Sequence, residues 1–216
     1  MSFYLFETLY GSGDTGLRYL DRHLSRLAAS AQTLGFSCDL DGIRNEALCS
    51  DEALVHAGPY RLRISLERSG VFEIQRYPLQ PIPSGPVKLL LGSDWEFASQ
   101  SSSNLLLRHK TSLRDEYDRG WKLAETKGAF DMLFVNEHGE LTEGGRTNLF
   151  LYIDNNWWTP PLSSGLLPGI MRGIILQDTR FDAAERTLFP EDLFNAKQIL
   201  LCNSLRGCMQ ADLVRS

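Results

Sequence analysis

The spacing of apolar and polar positions divides the chain into a series of strands and helices. Residues 2–10 alternate in part, with Phe3, Leu5, Glu7 and Leu9 on one side and Tyr4, Phe6, Thr8 and Tyr10 on the other, and end at the turn cluster Gly11-Ser12-Gly13-Asp14. This predicts a strand. From Leu20 to Gly35 the apolar positions Leu20, Leu24, Leu27, Ala31 and Leu34 recur at helical spacing, so a helix is expected there, stopped by Gly35. A second helix is expected over 41–56. Tyr60 to Glu67 alternates cleanly, and Ser69-Gly70 turns it into Val71–Tyr77, a hairpin pattern. Pro78, Pro81, Pro83, Gly85 and Pro86 then crowd a short segment. Beyond it the pattern predicts strands at Val87–Leu91, Met132–Asn136, Asn148–Ile153 and Gln198–Cys202, and helices at Leu113–Thr126 and Ile170–Gln177.

This mixed order predicts an α/β or α+β fold in two unequal parts. A small N-terminal domain is expected over 1–90, a crossover over 91–108 and a larger C-terminal domain over 109–216. The crossover contains the small, polar run Ala98-Ser99-Gln100-Ser101-Ser102-Ser103-Asn104. With 216 residues, 43% hydrophobic and 23% charged, the chain has ample material for a core and is not a disordered polymer. A formal charge of -5 without a basic run argues against nucleic acid as a partner. No apolar stretch approaches the ~20 residues of a membrane span. The start Met1-Ser2-Phe3-Tyr4-Leu5-Phe6-Glu7 has no basic segment and meets a carboxylate too early for a signal peptide, so the expected compartment is the cytoplasm. Cys38, Cys49, Cys202 and Cys208 form no C-x-x-C pair, and none has a histidine at metal-finger spacing. They read as reduced thiols, with no metal site and no local hydrolase motif.

Three places carry candidate chemistry. The stretch Glu140-Leu141-Thr142-Glu143-Gly144-Gly145-Arg146-Thr147-Asn148 puts a carboxylate before two glycines, where the backbone can approach a ligand closely. It also reads as a plain hairpin turn after Asn136-Glu137-His138-Gly139. The run Thr159-Pro160-Pro161 through Pro168-Gly169-Ile170-Met171-Arg172 delivers the chain to a helix start, whose N–H groups favour an anion. Arg108-His109-Lys110-Thr111 offers a lysine beside other cations; taken alone, such a lysine is an ordinary solvated one. Together, a lysine, a carboxylate 33 residues later and a helix start 26 residues beyond that make up the kit for pyridoxal phosphate.

These residues resemble the class IV aminotransferase-fold pyridoxal-phosphate enzymes, a family that includes branched-chain and D-amino acid aminotransferases and aminodeoxychorismate lyase. The resemblance spans nearly the whole chain. Its anchors are Arg22-His23-Leu24-Ser25-Arg26-Leu27-Ala28-Ala29-Ser30-Ala31, His109-Lys110-Thr111, Leu141-Thr142-Glu143-Gly144 through Asn148-Leu149-Phe150, and Thr159-Pro160-Pro161 through Met171-Arg172. Phe6-Glu7-Thr8-Leu9, Leu107-Arg108-His109-Lys110-Thr111, Gly165-Leu166-Leu167-Pro168-Gly169 and Asn203-Ser204-Leu205-Arg206-Gly207 bring it nearest to the lyase portion of fused para-aminobenzoate synthases.

The resemblance implies a two-domain, D-amino acid aminotransferase-like fold holding pyridoxal 5'-phosphate, in a homodimer acting on a small-molecule amine. It implies Lys110 as the Schiff-base lysine and acid/base catalyst, and Glu143 as partner of the pyridine nitrogen. It implies Arg26 and the backbone N–H groups of Ile170 and Met171 as phosphate ligands, with Arg146 and Thr147 lining the cofactor and Asn148 holding the turn. Arg108, Ser204 and Arg206 are the implied substrate residues. The expected activity is 4-amino-4-deoxychorismate lyase; the alternatives are an amino-acid aminotransferase, which needs a cation for the α-carboxylate from among Arg61, Arg63, Arg108 and Arg206, and a non-catalytic member of the fold. Two departures stand out. Relatives usually carry some tens of residues before the strand ending in Glu7-Thr8-Leu9-Tyr10, which implies a reduced small domain and a more open cleft. Many also have a hydroxyl residue where Met171 stands, and its loss removes a bond worth roughly 1 kcal/mol.

Overall fold

A computed structural model describes residues 3–52, 58–82 and 84–214. The chain forms two compact units, the first from residues 1–82 and 109–113, the second from 83–108 and 114–216. These bounds differ from the expected breaks at 90 and 108 for two reasons. The strand at 87–91 is hydrogen-bonded between two strands of the second unit. Residues 109–113 come back to the first unit, where Thr111 bridges Leu5 in antiparallel fashion.

In the first unit, strands β1 (Leu5–Ser12), β2 (Gly16–Leu17), β3 (Tyr60–Leu66) and β4 (Phe72–Pro78) form an antiparallel sheet in the order β2-β1-β3-β4. Helices α1 (Leu20–Leu34) and α2 (Leu40–Glu52) accompany it. The last part of the second expected helix, 53–56, lies outside the described residues. Period-two alternation buries Tyr60, Leu62, Ile64 and Leu66 of β3 and leaves Arg61, Arg63 and Ser65 half-buried on the other face. Leu5 and Leu9 of β1 share a core with Leu24, Leu27 and Ala31 of α1 and Ile43 and Ala47 of α2. Gly35 ends α1 at φ 71°, a left-handed conformation that glycine adopts without a Cβ penalty.

Charge joins α1 to β1 as well. Glu7 lies on the same face of β1 as Leu5 and Leu9 and is 1% exposed. Arg26 donates from Nε to its Oε1 at 2.9 Å and from Nη2 to its Oε2 at 2.6 Å, and His23 Nδ1 meets Oε2 at 2.7 Å. Burial pushes the Glu7 carboxyl up, but the Arg26 charge and the bonds from His23 and Arg26 outweigh it and hold it at about 2. For His23, burial leads, and with the Arg26 and Lys110 charges it outweighs Glu7 and lowers the imidazole below its usual range.

The second unit is built on a mixed eight-stranded sheet. Its strands are β5 (Val87–Leu91), β6 (Asp131–Val135), β7 (Leu141–Gly144), β8 (Asn148–Ile153), β9 (Asn156–Thr159), β10 (Ala183–Glu185), β11 (Gln198–Asn203) and β12 (Gly207–Leu213). They are ordered β10-β9-β8-β11-β12-β5-β6-β7. β5 is parallel to both neighbours and β10 to β9, and the remaining pairs are antiparallel. Helix α3 (Asp115–Thr126) packs Tyr117 and Ala124 against Met132 and Phe134 of β6. Helix α4 (Ile170–Gln177) places Ile175 against Phe150 and Cys202, and the short helix α5 (Pro190–Asn195) buries Leu193.

Two outcomes follow. Gly120 lets α3 sit close to β6: a Cβ there would lie 2.6 Å from Phe134 Cζ and 3.0 Å from Met132 Sδ. Alanine gains about 1 kcal/mol in helix propensity, but overpacking costs roughly 1–3 kcal/mol. Gly120→Ala is therefore expected to lower the thermal midpoint, and a raised midpoint would show slack in this seam. The second outcome concerns acid. A carboxyl lowered from 4.5 to about 2 on folding contributes stability above pH 4.5 that disappears as pH falls toward 2. At pH 7 this amounts to about 3 kcal/mol. His23, held neutral, likewise stabilises above pH 6.5 and less below it. Denaturant unfolding at a series of pH values should show wild type more stable than Glu7→Gln at pH 7, with the gap closing below pH 4.5. A gap independent of pH would contradict an ionised Glu7.

Candidate functional site

In the first unit, residues 109–112 run alongside β1. Phe6 N–H donates to the Lys110 carbonyl and Ser112 N–H to the Tyr4 carbonyl, each at 2.9 Å. This edge pairing fixes the backbone of Lys110. Its half-buried side chain places Nζ 4.6 Å from the centre of the Phe6 ring. The Arg63 guanidinium lies 4.1 Å from the same ring, so two cations share one aromatic side chain. Arg61, on the same face of β3, stacks on Tyr77 at 4.5 Å with its Nε buried and without a hydrogen-bond partner among the described residues. Helix α1 contributes a polar ridge of His23, Arg26 and Ser30, spaced i, i+3 and i+7. His23 and Arg26 hold Glu7, and Ser30 Oγ is 2.9 Å from His109 Nδ1, next to Lys110. Lys110 and Arg26 thus belong to one unit, and Arg26 is engaged by Glu7 there.

In the second unit, Glu143 is a strand residue of β7 rather than part of the turn at 137–140, and it is 7% exposed. Asn148 Nδ2 donates to its Oε2 and the Leu167 N–H to its Oε1, both at 3.1 Å. The same Asn148 amide also donates to the Leu167 carbonyl at 3.1 Å. Gly169 stands so close that any Cβ there would overlap Asn148 Oδ1. Glu143 and Asn148 are thereby tied to the segment that leads into α4. That helix starts after Gly169, which has no side chain to cap its first-turn amides, those of Ile170 and Met171 among them. Ile170 is buried and Met171 half-buried.

A second buried carboxylate shapes the turn after Glu143. Asp131 is fully buried and accepts the Thr147 hydroxyl at 2.7 Å, the Arg146 N–H at 3.0 Å and the Met132 N–H at 2.9 Å. Burial raises its carboxyl above the usual range, against the lowering effect of these donors. A Cβ on Gly144 would fall 2.5 Å from Asp131 Oδ2 and 2.6 Å from Thr147 Oγ1, so this turn requires glycine. Arg114 Nη2 donates to the Gly145 carbonyl, closing it from the other side. Arg146 is exposed and stacks on Trp121 at 3.3 Å from the ring centre, whereas Thr147 is buried on Asp131. The Tyr117 hydroxyl is buried without a well-formed hydrogen bond, and burial, with the Glu143 charge second, pushes the phenol well above 10.

Ser204 and Arg206 are half-buried in the β11–β12 hairpin turn. Asn203 organises this turn by accepting the Leu205 and Arg206 N–H groups at 3.1 and 2.7 Å and donating to the Arg146 carbonyl at 3.2 Å. Arg108 ends a 3-10 turn and is exposed. The second unit thus ties Glu143 and Asn148 to the segment before α4, gathers Arg146 and Thr147 around Asp131, and links Arg206 to Arg146 through Asn203. Glu7, Asp131 and Asn203 had no role assigned from sequence. Glu7 carried a readable signal, a charge at period two between Leu5 and Leu9. Asp131 opens an otherwise apolar strand and gave no such signal.

The family model of amino-transferase class IV matches residues 4–214. A Schizosaccharomyces pombe protein provisionally described as an aminodeoxychorismate lyase is 30% identical over 97% of this chain and 89% of its own. A Mesorhizobium loti structure, provisionally described as an amino-acid aminotransferase, is 36% identical with a TM-score of 0.86, covering 98% of this chain and 100% of that one. A Legionella pneumophila structure, provisionally described as a 4-amino-4-deoxychorismate lyase, is 25% identical with a TM-score of 0.82, covering 97% and 82%. Among the described residues no helix is long and apolar enough to cross a membrane. The chain belongs to the class IV aminotransferases, whose cofactor is pyridoxal 5'-phosphate.

Proposed function

We propose that this chain is a 4-amino-4-deoxychorismate lyase, releasing pyruvate and para-aminobenzoate, and that it works as a cytoplasmic homodimer. The observation that carries this choice within the family is the Schizosaccharomyces pombe relative, similar over nearly the full length of both chains. The Mesorhizobium loti structure favours a second reading, an amino-acid aminotransferase.

The donor set fits a phosphorylated pyridine aldehyde. A lysine is fixed on the edge of β1, a buried carboxylate is held by two N–H donors, and a helix starts after a glycine N-cap. In this reading Lys110 would hold the cofactor through its aldehyde carbon, and its amine would take the proton from the substrate carbon that bears the amino group. Glu143, kept in place by Asn148 and Leu167, holds a proton on the ring nitrogen. Arg26 and the Ile170 and Met171 amides bind the phosphate, and Arg146 and Thr147 line the ring. Arg108, Ser204 and Arg206 orient the substrate carboxylates. The bound cofactor supplies the electron sink for the bond-breaking step.

The two readings separate on products. Supplied with 4-amino-4-deoxychorismate and no keto acid, the enzyme is expected to release pyruvate and para-aminobenzoate in equal amounts over many turnovers. Ping-pong exchange between an amino acid and a keto acid, with no pyruvate from aminodeoxychorismate, would establish the aminotransferase instead. Glu143→Gln is expected to bind cofactor but turn over on the order of 10²-fold more slowly. A near-normal rate would return Glu143 to a purely structural part in β7.

A further inference from the structure

Glu7 lies opposite Ile64 in the β1–β3 ladder, and its carboxylate meets both Arg26 and His23 of α1. Two parallel bonds from Nε and Nη2 fix the plane of the Arg26 guanidinium, which a single bond could not do. An arginine on a helix otherwise samples many rotamers and loses that freedom on binding an anion. The carboxylate is itself held. His23 is fully buried; because Nδ1 faces a carboxylate it carries the proton, and Nε2 has no partner among the described residues. Both bonds of the carboxylate to Arg26 and the bond from His23 come from α1, so the strand and the helix together set where the guanidinium points.

We propose that Glu7, backed by His23, is a positioning residue that presents Arg26 to the phosphate of the cofactor. This inference rests on the reading of Arg26 as a phosphate ligand. It makes a prediction opposite in sign to simple electrostatics. Glu7 cancels the Arg26 charge, so a purely coulombic view has its neutralisation tighten the binding of an anion. Positioning has the same change loosen it, because the guanidinium loses its fixed plane.

The test measures dissociation constants of the full chain for pyridoxal phosphate and for pyridoxal, which lacks the phosphate. Glu7→Gln is expected to weaken pyridoxal phosphate about tenfold and leave pyridoxal within about twofold. In an Arg26→Ala background the same substitution is expected to change neither, because Glu7 acts through Arg26. If Glu7→Gln does not fold, Glu7→Asp serves: it keeps the charge but is one methylene short, and the same selective loss is expected. Pyridoxal phosphate binding that is unchanged or tighter in the Glu7 variant, or an equal loss for pyridoxal, overturns the inference. A loss with Arg26→Ala but none with Glu7→Gln overturns the inference alone, whereas no loss with Arg26→Ala overturns the reading of Arg26 beneath it.

Discussion

A carboxylate in a protein interior must be surrounded by donors, because leaving it unpaired there costs several kcal/mol. This constraint organises both units. Glu7 is buried between β1 and α1 and takes Arg26 and His23 from one helix ridge. Asp131 is buried at the start of β6 and takes the Thr147 hydroxyl with the Arg146 and Met132 amides. Glu143 is buried in β7 and takes Asn148 and the Leu167 amide. Each carboxylate ties separate segments together, and among the residues so gathered are Arg26, Arg146 and Thr147, which the family resemblance implies at the cofactor.

The glycines at this site follow from the same crowding. Gly144 leaves room for Asp131 and Thr147, and Gly169 leaves room for Asn148. The carboxylates and amides approach one another more closely than a Cβ would allow. The Glu143 network therefore extends into the start of α4, and one asparagine links a candidate proton-holding group to a candidate phosphate-binding turn.

Where apolar spacing alone determines an element, sequence was enough. Leu20, Leu24, Leu27 and Ala31 mark α1 and Gly35 its end, and the alternation of β3 matches its burial. Short elements escaped because their signal is shared with turns. β7 reads Leu-Thr-Glu-Gly, half of it polar, yet all four residues are buried. Their polar groups find donors or acceptors on β6, β8 and the 167 segment, none of which is local. The return of 109–113 to β1 was also invisible, since edge pairing uses backbone groups that every residue carries. At the candidate site, the residue types of Lys110, Glu143 and Arg26 were legible through family resemblance. The bonds that hold Arg26 to Glu7 and Glu143 to Asn148 and the Leu167 amide became visible only in the structure, as did the parts of Asp131 and Asn203 around Arg146 and Thr147.

Lys110 is the proposed anchor of pyridoxal phosphate. Mixing the purified chain with pyridoxal phosphate, reducing with borohydride and mapping the peptides tests it most directly. An absorption band near the edge of the visible is expected before reduction, and a pyridoxyl group on Lys110 afterwards. Absence of the band, or a label on a different lysine, would contradict it.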